Sequence, residues 1–413
     1  MRVLFINSSD ISGGCGITAY RLGKGLNKYF NTENHFLVGS KQSGDENVFC
    51  TTSNKKQQVI EKIVDRITGK MGLQFQYFPF STGAILRKVK QLKPDMIYLG
   101  NTHGGYFKTA LIEELSKCAP VVWTLCDMWS FTGNCAHTFG DESWKRMKSG
   151  CNDKNIQPAI GINTGNWLLR QKKRIYGRSD FTVVAPSKWL CELAKNSPVF
   201  DGKEVLHIYS GFDTGVFRPK DKAACRAALD IPADARVVMC GAPNLATSPW
   251  KAGQHLIDIL EHINNRVEDH IYLLLTGKGN LKDLKRMNRL IIRETGYIQS
   301  ETILAAVYSA ADLLIYPARA ETLGNVLIES ILCGTPAAVF DIGGCPEVIK
   351  NGTSGFVEKP FDIKGMSERV LQLLNDGASL AELSKKTRKY AEEKFNIKKM
   401  SSDYYGLFQR VAN

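Results

Sequence analysis

In ARAETLGNVLIESILCG, residues 318–334, two carboxylates, Glu321 and Glu329, bracket seven residues of a loop that runs into a helical pattern. From Val326 to Cys333 that pattern is apolar on nearly every side, which predicts a buried helix. A carboxylate buried without a partner costs several kcal/mol, so Glu329 must meet a polar group. Glu321 falls in the strand-to-helix loop, at the carboxyl end of a parallel strand, where open sheets bind ligands. Between the two acids, Thr322, Leu323, Gly324 and Asn325 would present backbone N–H groups at a helix N-terminus, and Gly324 lets an anion approach the backbone closely. That combination makes a seat for a diphosphate. A purely structural account fits the same residues: Thr322 as helix cap, Glu321 complementing the helix dipole, and Glu329 bonded to neighbouring backbone.

Other constellations carry less. GCGITA, Gly14–Ala19, satisfies the G-x-G-x-x-A dinucleotide pattern. Its glycines do not follow the first strand at once, and HFLVGSKQS, His35–Ser43, has no acidic residue to take a ribose, so a dinucleotide is not expected. Cys126, Cys135, His137 and Cys151 are poorly spaced for zinc, and buried free thiols are expected there instead. No D-x-D pattern occurs, so no metal-held nucleotide is expected either.

Loops that end parallel strands must position these residues, and the hydrophobic pattern supplies such strands. Val3–Ile6, a helix with Ala19, Leu22 and Leu26 on one face, and Phe36–Val38 form a βαβ series. Strands are predicted at Met96–Leu99, Val121–Leu125, Phe181–Ala185 and Val205–Ile208, with helices at 82–92 and 108–116. Gly211, Asp213, Gly215, Pro219 and Pro232 then break the pattern, which reads as a connection. A second α/β series follows, with strands Val237–Cys240, Ile271–Thr276, Leu313–Tyr316 and Ala337–Phe340 and helices near 254–263, 301–309 and 325–333. The expected division is a first domain over 1–209, a linker over 210–235, a second domain over 236–395, and a helix over 396–413 returning toward the first.

Net charge is +13, from 54 Lys and Arg against 41 acidic residues, which favours anionic partners. Phosphorylated metabolites and an acidic membrane surface both qualify. Nucleic acid is not expected, because no recognised module or aromatic-rich basic groove occurs. Trp167, Leu168, Leu169, Ile175 and Tyr176 interleave with Arg170, Lys172, Lys173, Arg174 and Arg178, as in a membrane-surface helix or a half-buried helix with a solvated basic face. Eleven scattered cysteines without a C-x-x-C pair point to reduced thiols in the cytoplasm. MRVLFINSS is too short and too soon polar for a signal peptide, and no apolar run approaches the ~18 residues of a membrane span, so contact with a membrane should be peripheral, at its inner face.

Taken with their order and spacing, several segments make the chain similar to family 4 of the retaining glycosyltransferases. ETLGNVLIESILCGTP, Glu321–Pro336, matches that family's E-x7-E motif, and FDIGGCPEVIKNGTSGFV, Phe340–Val357, follows it. IYSGFDTGVFRP, Ile208–Pro219, resembles the interdomain signature, and APSKWLCELAKNS, Ala185–Ser197, the last motif of the first domain. The resemblance implies a GT-B fold, two facing Rossmann-like α/β domains with parallel sheets and an interdomain cleft. It implies that Glu321 contacts the donor sugar, Glu329 the nucleotide ribose, and the Leu323 and Gly324 amides the phosphates. The family's R-K-G ending is replaced by SPWKAG, Ser248–Gly253, so neutralisation of the diphosphate is expected from Lys251 with Arg319 or Lys278. Gly13 and Gly14 occupy the place of the family's glycine-rich turn. Where relatives read T-L-H-D, this chain has Cys126, which leaves the base role to Asp127 or His103, or to no protein base at all.

The function these readings predict is metal-independent hexosyl transfer, with retention, from a UDP- or GDP-sugar to a saccharide or lipid-linked acceptor in surface polysaccharide assembly. No cofactor is expected beyond the donor. A nucleotide-sugar-binding protein without turnover and a sugar-nucleotide epimerase are the rival readings.

Overall fold

The computed structural model describes residues 1–151, 153, 156–241, 250–251, 253–277, 284 and 286–412. They form two units, Met1–Gly211 with Ile397–Asn413, and Phe212–Asn396.

The first unit is built on a parallel sheet of β1 (Arg2–Ser9), β2 (Glu33–Ser40), β3 (Val48–Cys50), β4 (Met96–Leu99), β5 (Val121–Thr124), β6 (Thr182–Ala185) and β7 (Val205–His207). Their order is β3-β2-β1-β4-β5-β6-β7, so the winding reverses between β1 and β4. Strands β4, β5 and β6 are buried at every position. That is the pattern of a parallel sheet covered on both faces. Phe5 registers with Phe36 on one side and Tyr98 on the other, and its ring stacks on that of Phe36.

The second unit repeats the plan with β8 (Val237–Gly241), β9 (Ile271–Thr276), β10 (Leu290–Gly296), β11 (Leu313–Tyr316), β12 (Ala337–Phe340) and β13 (Gly355–Glu358). Their order is β10-β9-β8-β11-β12-β13, with the reversal between β8 and β11. Ligands of open α/β sheets bind beyond the carboxyl ends of strands at such reversals. In this unit that place is the loop 317–324, between β11 and the helix Asn325–Leu332.

One stretch differs from the pattern-based division. Residues 212–235, expected as a linker, belong to the second unit. Arg226 is buried there, and its guanidinium donates to Asp312 at 2.8 and 2.9 Å and to the carbonyls of Ala310 and Ala233. Proline and glycine made the stretch read as a connection, whereas one buried arginine ties it down. The helix Ile397–Ala412 completes the core of the first unit, with Met400, Tyr404, Leu407 and Phe408 packed among Val3, Phe5, Leu22 and Leu26. Among the described residues, no helix is long and apolar enough to cross a membrane.

Candidate functional site

At the carboxyl end of β11, Tyr316 and Glu321 meet Lys251. The Lys251 ammonium donates to Glu321 Oε2 and to the Tyr316 hydroxyl, and that hydroxyl also bonds Glu321 Oε2. The ammonium sits 4.9 Å from the centre of the Tyr316 ring. The other carboxylate oxygen, Oε1, accepts the Thr322 amide at 3.1 Å. Burial would raise the Glu321 carboxyl, but Lys251, with the bonds from Tyr316 and Thr322, outweighs it and holds the carboxyl below the usual range. The Tyr316 phenol is driven well above its ordinary value by burial and by the neighbouring Glu321 charge.

The turn that carries Glu321 is held from both sides. Trp250 accepts the amides of Arg319 and Ala320 through its carbonyl, at 2.8 and 3.2 Å, which fixes Lys251 next to the loop. Below the loop, Gly344 donates to the Glu321 carbonyl at 3.1 Å. A Cβ on Gly343 or Gly344 would overlap the carbonyls of Glu321 and Thr322, so only glycines permit this approach. Gly324 precedes the helix with φ 94° and offers no side-chain cap. Leu323 is buried beside it. Glu329, buried in that helix, accepts the Tyr308 hydroxyl at 3.1 Å. Tyr308 also adds to the charge that raises Tyr316. Asn325 opens the helix, and Arg319 is exposed on the loop, close enough to His255 to oppose its protonation after burial has already done so. Lys278, the alternative cation, lies outside the described residues, as do Ser248, Pro249 and Ala252 of the SPWKAG segment.

The first unit gathers a second cluster at the carboxyl ends of β1, β4 and β5. Gly13 and Gly14 open the helix Gly13–Phe30. Asn7 ties this turn to the loop after β4, accepting the Asn101 amide at 2.8 Å and donating to the Cys15 carbonyl at 3.3 Å. His103 Nε2 and Asp127 Oδ2 are 2.7 Å apart, which joins the loops after β4 and β5. The other Asp127 oxygen accepts the Trp129 amide at 2.8 Å. Both candidate bases therefore form one imidazole–carboxylate pair, partly exposed, with the His103 ring 5.3 Å from that of Trp129.

Two expectations are corrected here. Cys126 is not a free thiol: it forms a disulfide with Cys15, and Cys135 forms one with Cys151, each with a Cα separation of 5.8 Å. The fold brings these cysteines together from separate loops, which their spacing in the chain does not show. The helix Gly165–Tyr176 buries Leu168, Leu169, Ile175 and Tyr176 while Trp167 stays exposed, and Lys172 goes inward with the buried set. Its ammonium donates to the carbonyls of Trp129, Thr132 and Gly133 at 2.5, 3.0 and 3.3 Å. Burial drives that ammonium well below its ordinary value, while Asp127 opposes the shift. Lys172 is thus a brace under the loop after Asp127 and takes no part in a basic surface.

Sequence reasoning missed Tyr316, Tyr308 and the Gly343–Gly344 contact. The position of Tyr316 at the end of the strand that leads into the Glu321 loop was its one signal in the sequence, and a core tyrosine fits that position equally.

Residues 246–394 match the family of glycosyl transferases group 1. The chain is 28% identical over 278 residues to D-inositol 3-phosphate glycosyltransferase of Thermobispora bispora, covering 64% of this chain and 62% of that protein. It is 23% identical over 218 residues to N-acetyl-alpha-D-glucosaminyl L-malate synthase of Bacillus anthracis, covering 51% and 54%. The chain thus spans less than two thirds of the length of these curated relatives. Among solved structures, Anabaena HepE in complex with UDP-glucose superimposes with a TM-score of 0.70 at 17% identity, over 99% of this chain and 100% of that one. Sucrose-phosphate synthase from Thermosynechococcus elongatus gives a TM-score of 0.70 at 17% identity, over 99% and 98%. The fold is GT-B.

Proposed function

We propose, from a GT-B chain whose residues 246–394 are a group 1 glycosyl transferase domain, that the protein transfers a glycosyl group from a nucleotide sugar to an acceptor. The observation that carries this reading is the Lys251–Tyr316–Glu321 cluster beside the turn at Gly324. An ammonium has three donors. Two serve Glu321 and Tyr316, and the third is assigned to a donor phosphate, whose charge grows as the nucleoside diphosphate departs. The Leu323–Gly324 turn would hold the phosphates through backbone N–H groups. Glu321 would take sugar hydroxyls, and Glu329, positioned by Tyr308, the ribose.

The donor is a UDP- or GDP-sugar carrying a hexose or N-acetylhexosamine, and the acceptor is a saccharide or a lipid-linked saccharide of surface polysaccharide assembly. We assign the acceptor to the first unit, at the turn of Gly13 and Gly14 and the His103–Asp127 pair. Retention follows if the departing phosphate oxygen takes the acceptor proton on the face it leaves, so the protein's task is to position and to stabilise charge. No metal is invoked.

The test is thermal shift against a panel of nucleotide sugars, followed by product analysis with candidate acceptors. A ligand that binds the native form alone raises the melting point. No shift with any UDP- or GDP-sugar would remove the proposal. Binding without transfer would favour a second reading, a nucleotide-sugar-binding protein without turnover, for which the disulfide-bound Cys126 in the family's histidine position speaks.

A further inference from the structure

The helix Lys55–Lys70 is turned inside out. Its docked side is polar: Glu61, 2% exposed, accepts the amides of Phe80 and Ser81 at 2.9 and 2.7 Å, and Asp65 is partly buried beside it. Its solvent side carries Val59, Ile60, Ile63, Ile67 and, at the C-cap, Met71, each between 44% and 54% exposed. At helical spacing these five fall within an arc of about 120°. Lys55, Lys62 and Arg66 border that arc, and Lys56 and Lys70 stand at its two ends, all five exposed. No carboxylate of the helix faces solvent fully, since Glu61 is buried and Asp65 half-buried. A helix meant for water presents the opposite arrangement. Ile162, 60% exposed, extends the patch, because its amide bonds the Lys70 carbonyl at 3.1 Å.

We propose that this helix docks the first unit onto an anionic lipid surface, with Ile63 and Ile67 entering the headgroup boundary and the flanking lysines and Arg66 contacting lipid phosphates. Apolar side chains ringed by long cationic ones suit that interface, since the alkyl stems lie along it while the charges stay in water. A second copy of the chain does not fit, because pairing this face with itself would set five cations against five. Nucleic acid gives no reason for the isoleucines. The proposal stands on this surface alone, so it can fail while the donor reading holds, and the reverse.

The experiment is co-sedimentation of the full chain with vesicles of phosphatidylcholine alone and of phosphatidylcholine with phosphatidylglycerol, at about 150 mM salt. Binding to the anionic vesicles is expected to exceed binding to the neutral ones by about tenfold or more. Ile63→Gln with Ile67→Gln, and separately Lys62→Ser with Arg66→Ser, should each weaken it by about tenfold. Both pairs should leave the melting temperature within about 2 °C, because surface substitutions act weakly on folding. Arg170→Ser with Arg174→Ser, on the exposed side of Gly165–Tyr176, should change binding less than about twofold. Absent binding to anionic vesicles, binding indifferent to the isoleucine pair, a dimer dissolved by that pair, or duplex DNA bound in place of vesicles would each overturn the proposal.

Discussion

Lys251 stands where two demands meet: it neutralises a half-buried carboxylate, and in the proposed function it also meets the charge of a leaving diphosphate. With Lys251→Met, only the bonds from Tyr316 and Thr322 would oppose burial, and the Glu321 carboxyl would titrate higher. Glu321 has its folded value lowered, so its favourable contribution is complete above the ordinary value of 4.5 and fades as pH falls through the folded one. The acid limb of turnover should therefore move upward in Lys251→Met, and kcat/KM should fall by about 10² to 10³ at neutral pH. An unmoved limb in a pH profile would show that Lys251 does not set the charge of Glu321. The disulfides allow an independent count. Seven cysteines lie outside the two disulfides, Cys50, Cys118, Cys191, Cys225, Cys240, Cys333 and Cys345, so alkylation in denaturant without reductant should add seven groups, and after reduction eleven, as read by intact mass. The burial of Glu329 and the place of Glu321 on a strand-end loop were legible because a carboxylate in an apolar helix needs a partner, whereas Lys251 stood out only through the resemblance to the family. Tyr316 was not legible, since a tyrosine closing a buried strand looks like core. Cys15 and Cys126 were not, since a bond across 111 residues of sequence leaves no trace in spacing.

Sheet order placed both clusters at the point where each sheet reverses; strands read as short apolar runs between helices put Glu321 at a strand's carboxyl end, but not the order of the strands. The helix Lys55–Lys70 escaped the same reading, because its polar residues face the protein and its apolar ones face out. Asp65 records the consequence. Burial, with the neighbouring Glu61 charge, raises its carboxyl to about 6. A carboxyl raised on folding costs stability above its folded value, and the cost fades as pH falls toward the ordinary 3.8. Asp65 is only partly buried, so solvent screening keeps the cost to on the order of 1 kcal/mol. Asp65→Asn should therefore melt a few degrees higher than the parent chain at pH 7.5, with the difference closing toward pH 4. A difference independent of pH would assign the gain to packing. The loop under Glu321 makes a sharper test of backbone approach. Gly343 has φ 57° and no room for a Cβ against the Glu321 carbonyl, so Gly343→Ala should cost about 2 kcal/mol or more and weaken donor binding together with stability. Donor binding kept at full strength would mean that the turn can move away without loss.

At the scale of the molecule, the chain leaves the first unit at Gly211 and re-enters it at Ile397, so the last helix is held by a core whose strands lie nearly 400 residues earlier. Phe212 donates to the Phe395 carbonyl at 2.9 Å and pairs with Asn396, while the Gly211 amide meets Met400 Sδ at 3.0 Å. The Pro- and Gly-rich stretch beyond Gly211 gave away a boundary in the sequence, but not that the stretch itself packs into the second unit, where Arg226 overrides local composition. Within the first unit, Met400, Tyr404, Leu407 and Phe408 are all at most 5% exposed. Burying such side chains is worth about 1.5–3 kcal/mol each, which for four approaches the 5–15 kcal/mol that holds a typical domain folded. Residues 1–211 alone should therefore be aggregation-prone, since Val3, Phe5, Leu22 and Leu26 would lose their cover. The same residues joined to 397–413 by a short Gly-Ser linker should be soluble and melt cooperatively, because Gly211 already meets Met400 and Phe212 pairs with Asn396. Circular dichroism melts of the two polypeptides decide it. Equal behaviour of both would mean that the C-terminal helix only decorates the first unit, and unequal behaviour in the stated direction would make that unit one folding body closed by the chain's last turns.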